Sequence, residues 1–136
     1  MEDKDLRIGN WYESTKWKKP VICTMEDMHE LVFRADGAAV DAEIIETVFK
    51  TIELNEKWMD KFGFEKKISK GVNSIGEEIV DVYWENESEF TIHSNKNGFC
   101  ICVELWVGIA AIKYVHELQT LFYALTGKEL EFKKNG

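Results

Sequence analysis

The chain has 136 residues, 45% hydrophobic and 31% charged, with a single proline. That is the composition of one globular domain spanning residues 1–136, without disordered linkers or low-complexity tracts. Its 25 acidic side chains outnumber 17 basic ones for a formal net charge of −8, which repels phosphate backbones and disfavours nucleic acid as a partner of the whole surface.

The opening MEDKDLRIGN is too polar for a signal peptide. DLRIGNWY begins with a short alternation and turns at Gly9-Asn10, and ESTKWKKP is a polar loop. VICTM and ELVFR around EDMH predict a β-hairpin, closed at Asp36-Gly37. DAEIIETVFKTIEL mixes helix and strand formers, and strand prevails from about Thr47 because Asn55 reads as an N-cap. A short helix follows in EKWMDKFGF, with Trp58, Met59 and Phe62 on its apolar side, Gly63 as its stop and Phe64 folding back onto the core.

EKKISKGVNSIG predicts a strand end and loop. Three strands then form a meander: EIVDVYW, EFTIHS and, after the turn NKNG, FCICVELWV. Val80, Val82 and Trp84 share a face, as do Phe90 and Ile92. In the last strand Phe99, Ile101, Val103, Leu105 and Val107 oppose Cys100, Cys102, Glu104 and Trp106. The longest apolar stretch, FCICVELWVGIAAI, is interrupted by Glu104 and is too short to span a bilayer. Val115, Leu118, Leu121, Phe122 and Leu125 make one helix stripe, with Gly127 at C′. That stripe must lie on the apolar face of the sheet, with Leu130 and Phe132 returning as an edge strand or clamp. The expected class is α+β: a mostly antiparallel, twisted, partly open barrel-like sheet, a short central helix and a C-terminal helix packed on the sheet.

Candidate chemistry is sparse. Cys23, Cys100 and Cys102 cannot all pair, and thiols are expected in a cytoplasmic setting. Cys100 and Cys102 fall on one face of a strand. A C-x-C pair can hold a soft metal only with further ligands, and no second close-spaced pair exists, so packing is the preferred role. HELQT at His116 lacks the second histidine of a zinc motif. His29 sits beside the expected hairpin, and His93 faces away from the core with no recognisable nucleophile or orienting acid. Glu104, between apolar neighbours, is the one carboxyl worth testing as a general acid. No catalytic residue, cofactor or metal is expected.

The acidic run GEEIVDVYWENESE stands out. Glu77, Glu78, Asp81, Glu85, Glu87 and Glu89 occur with no base, and Tyr83 is interleaved on the face away from Val80, Val82 and Trp84. A solvated, charged strand is its ordinary reading. The functional reading is a docking surface for a basic protein, with acids steering the encounter and the aromatic supplying contact area. A competing patch comprises Lys16, Lys18 and Lys19 around Trp17, with Lys61, Lys66, Lys67 and Lys70, a composition suited to single-stranded nucleic acid.

Three stretches taken together, LRIGNW, IELNEKWMDKFGFEK and KYVHELQTLFYALTGKELEF, resemble a widespread family of small uncharacterised proteins from gut Bacteroidales and their phages and prophages. The match covers Leu6 to Asn10, Trp58, Phe62 to Phe64 and Tyr114 to Gly127, about a third of the chain. The resemblance implies a mobile-element origin, a bacterial host cytosol and a small β-rich fold ending in a helix; it implies no activity. The combined expectation is a non-enzymatic protein-interaction module that binds a basic host or defence-related partner through Glu77, Glu78, Asp81, Tyr83, Glu85, Glu87 and Glu89. A nucleic-acid-binding accessory protein and an enzyme are the alternatives, and no membrane is involved.

Overall fold

The computed structural model describes residues 5–86, 91–95, 98–103 and 107–133, and for residues 95, 98, 100–103 and 107–110 the backbone alone. In chain order the elements are β1 (Trp11–Ser14), β2 (Pro20–Ile22), α1 (Met25–Ala35), α2 (Ala42–Glu46), β3 (Phe49–Lys50), α3 (Glu56–Lys61), β4 (Glu65–Val72), β5 (Glu78–Glu85), β6 (Thr91–Asn95), β7 (Gly98–Val103), β8 (Val107–Ile112) and α4 (Val115–Thr126). Helices and antiparallel sheets mix as an α+β protein, and both sheets are open. The chain divides into two compact units: residues 1–53 with 114–129, and residues 54–113 with 130–136. No helix among the described residues is long and apolar enough to cross a membrane.

Unit 1 is built on the sheet β2-β1-β3. Tyr12, Cys23, Leu31, Ile45 and Phe49 form its core. The hairpin expected across VICTM and ELVFR is instead α1. Thr24 is the reason: its Oγ1 accepts the Asp27 N–H, and Asp27 accepts the Thr24 N–H in return. Two otherwise unpaired donors are thereby satisfied. Val32 and Phe33, the β-formers that suggested a strand, lie on the outer side of this helix, with Phe33 79% exposed. The ambiguous segment after Asp41 resolves into both elements. Asp41 caps α2 through the Ile44 N–H at 3.0 Å, and β3 pairs with β1 just beyond Thr47.

The terminal helix α4 ends at Gly127, which adopts the left-handed conformation (φ 73°) and donates its N–H to Tyr123. Val115, Leu118 and Phe122 are buried as the stripe requires, but Leu125 is 48% exposed, and two polar residues, His116 and Gln119, are buried in its place. The sheet expected beneath this helix was the meander; α4 belongs to unit 1, where it packs on β1. The cause is polar. Gln119 Oε1 accepts the Trp11 N–H at 2.7 Å, and Asn10 Nδ2 donates to Thr120 Oγ1 at 2.9 Å.

Unit 2 is a five-stranded antiparallel meander, β4-β5-β6-β7-β8, with α3. Asn55 caps α3 through the Trp58 N–H, and Gly63 (φ 82°) ends it, as expected. Trp58, Met59, Phe62 and Phe64 are all buried. Phe132 packs at a tilt against Trp58 and Phe62, and the Lys133 N–H reaches the Lys61 carbonyl, so the segment after Leu130 is a clamp on α3.

Two readings of the meander are corrected. EKKISKGV is a full strand, β4, held to β5 by a turn in which Asn73 Oδ1 accepts the N–H groups of Ile75 and Glu77. FCICVELWV is not one strand: β7 and β8 run antiparallel with Val103 opposite Val107. Leu105, Glu104 and Trp106 lie outside the described residues, as does Phe90. Among the described side chains, the apolar face of β5 is buried at one end and open at the other. Trp84 and Ile92, directly opposed, are buried and Phe99 meets the Trp84 edge at 5.4 Å, whereas Val80 is 54% exposed.

Candidate functional site

The acidic residues singled out from sequence do not all meet. On β5 successive side chains alternate between faces. Asp81, Tyr83 and Glu85 share one face, while Glu78, opposite Val72, lies on the other with Val80, Val82 and Trp84. Glu77 sits in the turn, where its backbone N–H and carboxylate face Asn73. Glu87 and Glu89 lie outside the described residues.

Register adds groups that the run alone does not contain. Glu65, Lys67 and Ser69 of β4 oppose Glu85, Tyr83 and Asp81, and Thr91 and His93 of β6 oppose Glu85 and Tyr83 from the other side. Lys67 Nζ reaches Glu85 Oε1 at 2.9 Å, and this carboxylate holds the ammonium above its ordinary pKa. His93 Nδ1 stands 3.4 Å from Asp81 Oδ1, and its ring stacks on Tyr83 with centroids 5.6 Å apart. The face is therefore an aromatic pair set among three acids and one lysine. Surface pairs of this kind add little stability; what they do is fix side-chain positions in advance of a contact. The acids are not unscreened, as the sequence run suggested, because β4 lays a lysine among them.

The lysine patch divides. Lys61 lies over Trp58 at 4.7 Å, Lys66 pairs with Glu56 at 3.2 Å and Lys67 with Glu85, so three of the patch's four lysines in unit 2 are engaged locally. Lys16, Lys18 and Lys19 surround Trp17 on the β1–β2 loop of unit 1, with Lys16 Nζ 4.9 Å from the indole and Trp17 64% exposed.

The chain matches no known family model, no curated protein and no solved structure. Its chemistry must be read from the groups themselves. His29 is exposed on α1. His116 is buried between Tyr12 and Tyr114, and its Nδ1 has no hydrogen-bond partner among the described residues; burial pushes its pKa below the ordinary histidine value. Beside it lies an open cleft of about 160 Å³ lined by Asp5, Glu117, Thr120 and Leu121. Cys23 is buried, and desolvation, with Asp27 adding, raises its thiol to about 11, which keeps it protonated and inert. No three metal-ligating side chains gather among the described residues. The side chains of Cys100 and Cys102, and Glu104 as a whole, lie outside them.

What sequence reading missed most completely is the polar lattice of unit 1. Arg7 Nη1 donates to Asn10 Oδ1 at 2.8 Å, Arg7 also pairs with Glu129, and its guanidinium lies 4.4 Å from the Tyr123 ring centre. Gln119 Nε2 reaches the Gly9 carbonyl. Two of the quoted stretches, LRIGNW and KYVHELQT, are thus the two halves of one partly buried network. The only sequence signal was polar residues interrupting an apolar stripe.

Proposed function

We propose that this chain is a non-enzymatic protein-interaction module that takes a basic partner on the Asp81–Tyr83–Glu85 face of unit 2. The observation that supports this reading is the half-buried Tyr83, stacked on His93 and flanked by carboxylates held by Lys67 and His93. An aromatic anchor with a pre-positioned acidic rim suits a positively charged protein surface. The origin in a phage or other mobile element, and a bacterial cytosol as the place of action, belong to the same proposal and rest on the three resembling stretches.

The test is a Tyr83→Ser/Glu85→Lys variant beside the unmodified chain, each used to capture proteins from bacterial lysate at low and high salt. A partner held by this face is retained by the unmodified chain at low salt, lost at high salt and absent with the variant. Equal capture by both chains refutes the reading. Retention of a single-stranded oligonucleotide by the unmodified chain, lost on Trp17→Ala, would shift it to the loop of Lys16, Lys18 and Lys19.

A further inference from the structure

β4 is the outer strand of the unit 2 sheet, paired with β5 on one side. An outer strand turns a row of N–H and C=O groups away from its neighbour, ready to pair with another chain. Among the described residues no backbone group outside the β4–β5 ladder bonds to Glu65–Val72, and all eight residues are exposed. Period two puts Lys66, Ile68, Lys70 and Val72 on one face and Lys67 on the other. Ile68 is 59% and Val72 70% exposed. Lys66 and Lys67 meet carboxylates of their own unit, whereas no such partner faces Lys70 among the described residues.

The lysines select what can pair there. A second copy fits badly. Two-fold antiparallel pairing keeps each side chain on its own face, so only residues an even number of positions apart oppose one another. Centred on Lys66, Lys67, Ile68 or Lys70, the register sets lysine opposite lysine, which is destabilising. Centred on Ser69, it sets Lys66 and Lys70 opposite Val72 and Ile68, and no carboxylate meets an ammonium. A strand that carries acids meets neither obstacle. We infer that the free edge of β4 takes an extended acidic segment of another protein as an added strand, with carboxylates opposite Lys66, Lys67 and Lys70 and apolar side chains opposite Ile68 and Val72. Main-chain bonds supply the affinity of such an addition, and the side chains its selectivity. The net charge of −8 opposes an acidic partner at long range, but at physiological salt exposed charges more than about 8 Å away are largely screened. Tyr83 and Glu85, altered in the docking test, are left intact here, so the two readings fail separately.

The probe is a capped, fluorescently labelled peptide that spans β4 in the antiparallel register. It has glutamate opposite Lys66, Lys67 and Lys70, valine opposite Ile68 and Val72, and threonine elsewhere. Its anisotropy rises as the full chain is added, more at low salt than at high, and hydrogen exchange of the β4 amides slows. The same peptide with lysine for each glutamate does not bind. Methylation of alternate backbone nitrogens of the acidic peptide abolishes binding in the phase that faces β4 and spares it in the other. Lys66→Glu/Lys70→Glu weakens binding by about tenfold. Should circular dichroism show that this double variant does not fold, Lys70→Glu alone, which breaks none of the described ion pairs, decides by a smaller loss in the same direction. No rise in anisotropy, equal binding of the acidic and basic peptides, indifference to the methylation phase, or unchanged exchange in β4 overturns the assignment. A dimer of the chain alone in sedimentation, with its β4 amides already protected, gives the edge to a second copy and overturns it too.

Discussion

Asn10 and Gln119 in unit 1, and Asp81 and Glu85 in unit 2, are all polar residues with a large apolar neighbour in sequence, yet they end in opposite environments. Asn10 and Gln119 are buried and bonded to backbone and side chains more than a hundred positions away. Asp81 and Glu85 stay at the surface and, among the described residues, meet Lys67 and His93 of the adjacent strands. A buried polar group is costly unless every partner is in place, so it specifies one packing. A half-exposed one keeps water as a substitute and can exchange it for a partner. Unit 1 uses its polar groups as internal fasteners, and unit 2 presents them outward.

That contrast breaks most visibly in the cores. Leu118→Ala, at a fully buried position of α4, is expected to cost about 2–5 kcal/mol. Val80→Ala, at the open end of the meander, should change stability by less than about 0.5 kcal/mol. Urea unfolding of both variants checks the pair, and similar losses would erase the distinction. Next in size is Asn10→Ala, which removes the hydrogen bonds of this buried amide to Arg7 and Thr120 and is expected to cost about 1–3 kcal/mol.

The smallest effect sharpens the comparison through pH. Burial lowers the pKa of His116 in the folded chain, so the unfolded chain takes up its proton first as pH falls. Stability is undiminished above the ordinary histidine pKa of about 6.5 and declines below it, until the folded form also titrates. Urea midpoints should fall between about pH 7.5 and about pH 5.5. His116→Phe keeps an aromatic ring between Tyr12 and Tyr114, removes the unpaired Nδ1 and should flatten this dependence. An unchanged slope would mean that another group carries it.

Local signals were legible in sequence. The caps at Asn55, Gly63 and Gly127 and the alternation of Val80, Val82 and Trp84 each depend on neighbours within a few residues, and each is found where it was expected. The strand reading across α1 failed because Val32 and Phe33 are β-formers, while Thr24 and Asp27, which decide the matter, act through the backbone. β7 and β8 were merged because both are apolar. The partner of α4 was misassigned because hydrophobic periodicity says that a face is buried without saying against what. On the candidate site the same division holds. The grouping of Asp81, Tyr83 and Glu85, and the separation of Glu78, follow from period two. Lys67 and His93 enter only through register, which is a property of two strands at once.

The chain leaves unit 1 after Glu53 and returns at Tyr114. Asn10 must therefore wait for Thr120, 110 positions later, before its amide is satisfied. During synthesis the hairpins of unit 2, made from near neighbours, leave the ribosome while the first fifty residues still lack their closing helix. The nascent N-terminal part lacks its closing helix for as long as translation takes to cross the intervening meander, and a ribosomal pause there would lengthen that interval.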